Sequence, residues 1–218
     1  MIKELDKIDF DLCFKIDDDI EFLQKGWDDL YYNKAIETGY HHLVFTEPTW
    51  SKEQRINPPI KKKGLIAKNN LLHVHGCFYT ISKEMIRKVG YFDVENFGFR
   101  GMGHVDFTAR ACRVGYNDLS HPFDVEGSEK FLSANIEAYK GAISSGLIGA
   151  YDSFNRERKE NIIKDNRTYI KFKENNVNYD SFQKELPKAY EFALKEKQKE
   201  IDWYFNTYEI LPKWWKKV

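Results

Sequence analysis

The stretch "LCFKIDDDIEF", residues 12 to 22, decides how this chain is read, because an apolar run ends abruptly in three aspartates. Residues 10 to 16 fit a strand. In an extended segment side chains alternate, so Asp17 and Asp19 are expected to share a face that Asp18 opposes. Three adjacent carboxylates repel one another and are costly to bury without partners, so the pattern predicts a bound cation. Hard divalent ions, Mg2+ or Mn2+, take such oxygen ligands together with substrate phosphates. A calcium loop of the EF-hand type is disfavoured: Phe22 stands where that loop needs glycine, and the preceding residues read as a strand rather than a helix.

Working outward, residues 22 to 39, "FLQKGWDDLYYNKAIETG", carry apolar residues at three and four spacing and stop at Gly39, as a helix with a glycine stop does. "HHLVFTE" reads as a short strand. "GLIAKNNLLHVHGCFYTIS" has two apolar runs around Lys68, Asn69 and Asn70, which predicts a hairpin turning at the asparagines. Ser82 is placed to cap a helix, "KEMIRKVG", that ends at Gly90. Residues 96 to 105, "NFGFRGMGHV", form a glycine-rich loop that permits close approach of a ligand, but they match neither phosphate-loop pattern. The next segment, "DFTARACRVG", lines Phe107, Ala111 and Val114 along one helical face, with Asp106 near the helix start.

The 218 residues suffice for one sizeable domain with an appendage, and 42% hydrophobic residues supply a core. Lysine plus arginine and aspartate plus glutamate are both 34, so no global charge favours nucleic acid. Three dispersed cysteines, Cys13, Cys77 and Cys112, suit free thiols and a cytoplasmic setting. No apolar run is long enough to span a bilayer. The chain divides near residue 130: an α/β region over 1–130, then a mainly helical extension over 131–218. At its end "LPKWWKKV" joins two tryptophans to three lysines; it can lie on an anionic membrane surface as a peripheral contact or dock on the protein's own core.

Four ordered blocks, "FKIDDDIEF", "KGWDDLYYNKAIETGYHHLVF", "GCFYTISKEMIRKVGYFD" and "GFRGMGHVDFTARACRVGY", together resemble the later part of a GT-A glycosyltransferase of family 2. The resemblance covers roughly residues 8 to 120. It implies a GT-A-like mixed sheet flanked by helices and transfer of a hexosyl or N-acetylhexosaminyl group from a nucleotide diphosphate sugar, a UDP-sugar first, to a hydroxyl of a glycan or glycoconjugate. In this resemblance the aspartates are the DxD motif: Asp19 the metal ligand for Mn2+ or Mg2+, Asp17 the contact to nucleotide or ribose, Asp18 an assistant. Asp106 matches the catalytic base of inverting members, although Val105 replaces the glutamate that usually precedes it, with His104 before that.

Gly101, Gly103, His104 and Phe99 would border the acceptor, and His121 is the positional candidate for a further metal ligand. Phe97 or Phe99 could offer a ring face to a sugar, or fill the core. No Q-x-x-R-W segment occurs, so the resemblance implies a non-processive enzyme. Residues 1 to 11 are too few for the family's first βαβ units, so the expectation is that a preceding region or a partner chain completes the nucleotide site, or that the site is incomplete. A non-catalytic, glycan-binding or scaffolding chain of the same fold is the alternative, and a metal-dependent nucleotidyltransferase is a third reading. Arg110 and Arg113, three apart, read as a solvated or ion-paired face. His73 and His75 read as packing residues.

Overall fold

A computed structural model describes residue 5 and residues 8–50, 52–97, 102–135 and 156–168. The chain is α/β: helices pack on strands whose pairings, among the described residues, are all antiparallel. It divides into two compact units, residues 1–91 with 104–136, and residues 92–103 with 137–218.

In the first unit, β1 (Leu12–Ile16) pairs antiparallel with β5 (Phe78–Ser82), Phe14 facing Thr80 across the ladder. On the far side of β5 runs the segment 42–45, whose only ladder pairing among the described residues is a bridge from Val44 to Tyr79. The expected strand there is therefore an extended run held by single bonds, such as Thr80 N–H to Leu43 O at 3.0 Å and Phe45 N–H to Phe78 O at 3.0 Å. The apolar residues alternate as a pleat demands. Phe14 and Phe78 meet Trp27 on one face, at ring distances of 4.9 and 5.9 Å. On the other, Tyr79 lies 5.1 Å from His42 and 6.1 Å from Phe107. Helices thus cover both faces of the sheet.

The helix on the first face is α1 (Trp27–Thr38), which buries Tyr31 and Ala35. It stops where the glycine predicts: Gly39 adopts a φ of 72° and its N–H bonds Ala35 O. Helix α2 (Lys83–Val89) starts on Ser82, whose hydroxyl accepts from Met85 N–H at 3.1 Å. The helix on the second face, numbered α4 (Gly103–Arg113) in chain order, buries Phe107, Ala111 and Cys112.

The predicted hairpin at the asparagines is corrected. β4 (Leu65–Asn69) does not pair with β5; it pairs with β3 (Arg55–Lys62) and, on its other side, with β6 (Asp124–Val125). The turn falls at Lys63 and Gly64, whose φ values of 50° and 71° are the left-handed pair that tight hairpins need. Asn70 instead caps a short 3-10 turn, accepting from Leu72 N–H. Finally β2 (Ile20–Phe22) pairs with β7 (Leu132–Ala134), so the first unit runs past the expected boundary at 130.

In the second unit, α3 (Val94–Phe97) and α5 (Arg156–Lys164) are described. Asp93 joins its parts, accepting from Asn96 N–H at 3.1 Å and from Thr168 Oγ1 at 3.0 Å. Most of the predicted helical extension, including Trp214 and Trp215, lies outside the described residues.

Candidate functional site

The aspartates sit where β1 leaves the sheet. Asp17 is still tied to the strand pair, its N–H donating to Cys77 O at 2.8 Å. Asp18 and Asp19 then form a turn, closed by Ile20 N–H to Asp17 O at 3.3 Å. The strict alternation expected of an extended segment ends there, because the chain must turn to enter β2.

Asp19 is half-buried, and its Oδ1 is shielded from solvent with no hydrogen-bond partner among the described residues. Burial, then the charges of Asp17 and Asp18, hold its carboxyl above the ordinary range. Asp17 is compensated from within the chain: the Lys15 ammonium binds its Oδ1 and also donates to Gly76 O at 2.5 Å. Lys15 was not singled out in the sequence, although its place two residues before Asp17 on a strand puts both on one face. Asp18 is exposed.

The proposed base does not fit its assigned role. Asp106 lies in the first turn of α4 as expected, but it is only 2% exposed and accepts from Arg110 Nε at 2.9 Å. A carboxylate enclosed in the core and bonded to a guanidinium is not open to a substrate hydroxyl. Arg110 is fully buried rather than solvated; it also donates to Val89 O, and to Tyr91 O at 2.6 Å, pinning the end of α2 to α4.

Of the residues expected beside the acceptor, Phe99 and Gly101 lie outside the described residues. Gly103 opens α4, and a side-chain carbon there would make only ordinary 3.6 Å contacts with Phe92 and Phe97. Phe97 is 2% exposed, which assigns it to packing. His104 is half-exposed, and its Nε2 lies 3.2 Å from Val74 O.

His121 is not gathered with the aspartates. It belongs to the loop after α4, where its N–H donates to Asp118 Oδ1 at 3.0 Å. Among the described residues no three His, Cys, Asp or Glu side chains are grouped to hold a metal. The expected pair, Asp17 and Asp19, therefore belongs to no such group among the described residues.

Two other buried clusters surround this region. His75 accepts Glu47 N–H at Nδ1 (3.3 Å), and burial lowers it to about 4, helped by the charge of His104. Glu47 in turn accepts Ala134 N–H at 2.8 Å, fastening β7. Asp124, pushed up to about 6 by burial, gathers Tyr31 OH and Ser128 OH at 2.6 Å each. Both clusters are internally satisfied and read as structural.

Cys13, Cys77 and Cys112 are free thiols; burial pushes Cys77 up to about 12, which makes it inert as a nucleophile. Among the described residues no helix is long and apolar enough to cross a membrane. No family model, curated protein or solved structure matches the chain in the three comparisons made.

Proposed function

We propose that the chain is a metal-dependent glycosyltransferase of the GT-A kind. It would move a hexosyl or N-acetylhexosaminyl group from a nucleotide diphosphate sugar, a UDP-sugar first, to a hydroxyl of a glycan or glycoconjugate, with inversion and one sugar per encounter. The observation that supports this reading most is the unpartnered, shielded Oδ1 of Asp19 in a turn shared with two further carboxylates. Such an atom has no hydrogen-bond donor among the described residues, and Mn2+ or Mg2+ bound with a diphosphate would supply a partner. Bound there, the ion would act as a Lewis acid that neutralises charge on the departing diphosphate. Asp19 and Asp17 would hold it, with Asp17 exchanging its Lys15 contact.

A second reading, a non-catalytic chain of the same fold that binds glycan or scaffolds a partner, is favoured by one observation. Lys15 already balances Asp17, so part of the acidic turn needs nothing from outside.

Calorimetric titration with UDP, with and without Mn2+, separates the two. Metal-dependent binding in the wild type, lost in Asp19→Ala, is expected; a folded wild-type protein that gives no metal-dependent heat sinks the glycosyltransferase reading in favour of the second.

A further inference from the structure

The outer edge of β1 is open. Thr80 N–H and Phe78 O turn away from β1 to bond Leu43 O and Phe45 N–H, each at 3.0 Å, so the ladder bonds from β5 to β1 are made at Tyr79 and Ile81 with their partners Lys15 and Cys13. In an antiparallel pair the intervening residues point their N–H and C=O groups the other way. Those residues are Leu12, Phe14 and Ile16, and among the described residues no strand pairs with that side of β1. The Phe14 carbonyl has only a weak contact from the Cys13 thiol, at 3.8 Å.

Burial agrees with an uncovered edge: every residue of β5 is buried and none of β1 is, although four of its five residues are apolar. Ile16 is 39% exposed. Natural sheets guard such edges with proline, a bulge or an outward lysine. β1 has no proline and no slip in its register, and its one lysine, Lys15, is held by Asp17 and Gly76 O.

The charges at the two ends select what can join. Asp9 and Asp11 precede β1, and Asp17, Asp18 and Asp19 follow it. Lys83 lies 3.7 Å from Asp9 and Lys15 binds Asp17, while Asp11 and Asp18 are exposed with no ion pair among the described residues. A second copy related by a twofold axis across this edge would run antiparallel and set Asp9 and Asp11 of one chain beside Asp17 and Asp18 of the other. Like charges would then meet at both ends. An apolar strand with a basic residue at each end meets opposite charge there instead.

We propose that β1 binds an extended segment of another polypeptide, apolar in the middle and rich in lysine or arginine at both ends, which joins the sheet as a further strand. Backbone bonds at Leu12, Phe14 and Ile16 hold it, and the flanking aspartates select it. This binding stands apart from the transferase reading.

The experiment uses the full chain, labelled with 15N, and a fluorescent peptide of alternating valine and threonine between two pairs of lysines. In the free protein the amides of Leu12, Phe14 and Ile16 are expected to exchange about tenfold or more faster than those of Cys13 and Lys15, and the peptide should protect the first three. Affinity should fall about tenfold or more for a peptide N-methylated at two adjacent central residues, and for one with glutamates in place of the lysines. Asp11→Lys, a change at an exposed position, should weaken the lysine peptide and strengthen the glutamate peptide.

No binding of the lysine peptide, equal binding of the glutamate or N-methylated one, or an Asp11→Lys variant that treats both peptides as the wild type does overturns the proposal. So do amides at Leu12, Phe14 and Ile16 that are as protected in the free chain as their neighbours. Protection there that rises with protein concentration alone would give the edge to a second copy, and overturns it equally.

Discussion

Asp106 and Arg110 form an ion pair one helical turn apart that lies wholly inside the protein, at 2% and 0% exposure. Removing one partner strands the other charge. Asp106→Ala is therefore expected to lose about 3–5 kcal/mol of folding stability, measured by urea unfolding. If Asp106 served chemistry rather than structure, the variant would keep its stability and lose only turnover.

Gly76 and Gly103 should respond to alanine in opposite ways. At Gly76 the new carbon meets His104, so Gly76→Ala is expected to cost about 1–3 kcal/mol and to move the His104 ring signals in a two-dimensional imidazole spectrum. At Gly103, which opens a helix without crowding, alanine is expected to be neutral or stabilising by up to about 1 kcal/mol. Equal effects at the two sites would remove the close approach of His104 as the reason for Gly76.

Asp19→Asn removes a charge that burial and two neighbouring carboxylates disfavour. The thermal midpoint of the metal-free protein should rise, while the stabilisation that Mn2+ and UDP give the wild type should disappear. A fall in the metal-free midpoint would mean that the carboxylate is structural.

Stability should vary with pH through buried groups of opposite sign. His42, held neutral between Thr80 O and Thr108 Oγ1, and His75 are both lowered from 6.5 to about 4 by burial. Each contributes stability above pH 6.5 that is lost as pH falls towards 4, about 3 kcal/mol when complete. Asp124, raised from 3.8 to about 6, works the other way: its contribution is present below 3.8 and lost as pH rises through 6. Unfolding free energy should therefore drop between pH 7 and 4 in the wild type, and drop more steeply in Asp124→Asn, where the opposing group is gone. Parallel curves for the two proteins would contradict this assignment.

The elements that were legible in the sequence are those set by local chemistry. Gly39 and Ser82 end and begin helices through bonds to residues three or four away, and such signals need no tertiary context. The acidic turn was legible because three carboxylates have few structural uses, but the turn at Asp18 and Asp19 depends on β2 finding β7 more than a hundred residues later. β3 escaped notice because Pro58 and Pro59 argue against a strand, and only its edge position tolerates them.

The burial of Arg110 was likewise invisible. Its spacing from Asp106 suits an exposed helix face equally well, and only packing against residues 89 to 91 separates the two. For the site, His104 was named as an acceptor contact, whereas Lys15 and Gly76 were passed over. A lone glycine in "HVHGCFY" was the available signal, since a strand interior gains nothing from it unless another group must come near.

β3 also decides how far its sheet can grow. It is the outer strand of the β3–β4–β6 sheet, its register slips between Arg55 and Ile60 where the two prolines stand, and Lys61, Lys62 and Lys63 follow. Prolines offer no N–H to an incoming strand, and the lysines repel a second copy of themselves. Strand addition along this rim is therefore disfavoured at its first step, which guards a chain rich in aromatic residues against templating fibrils through the most solvent-facing of the described strands.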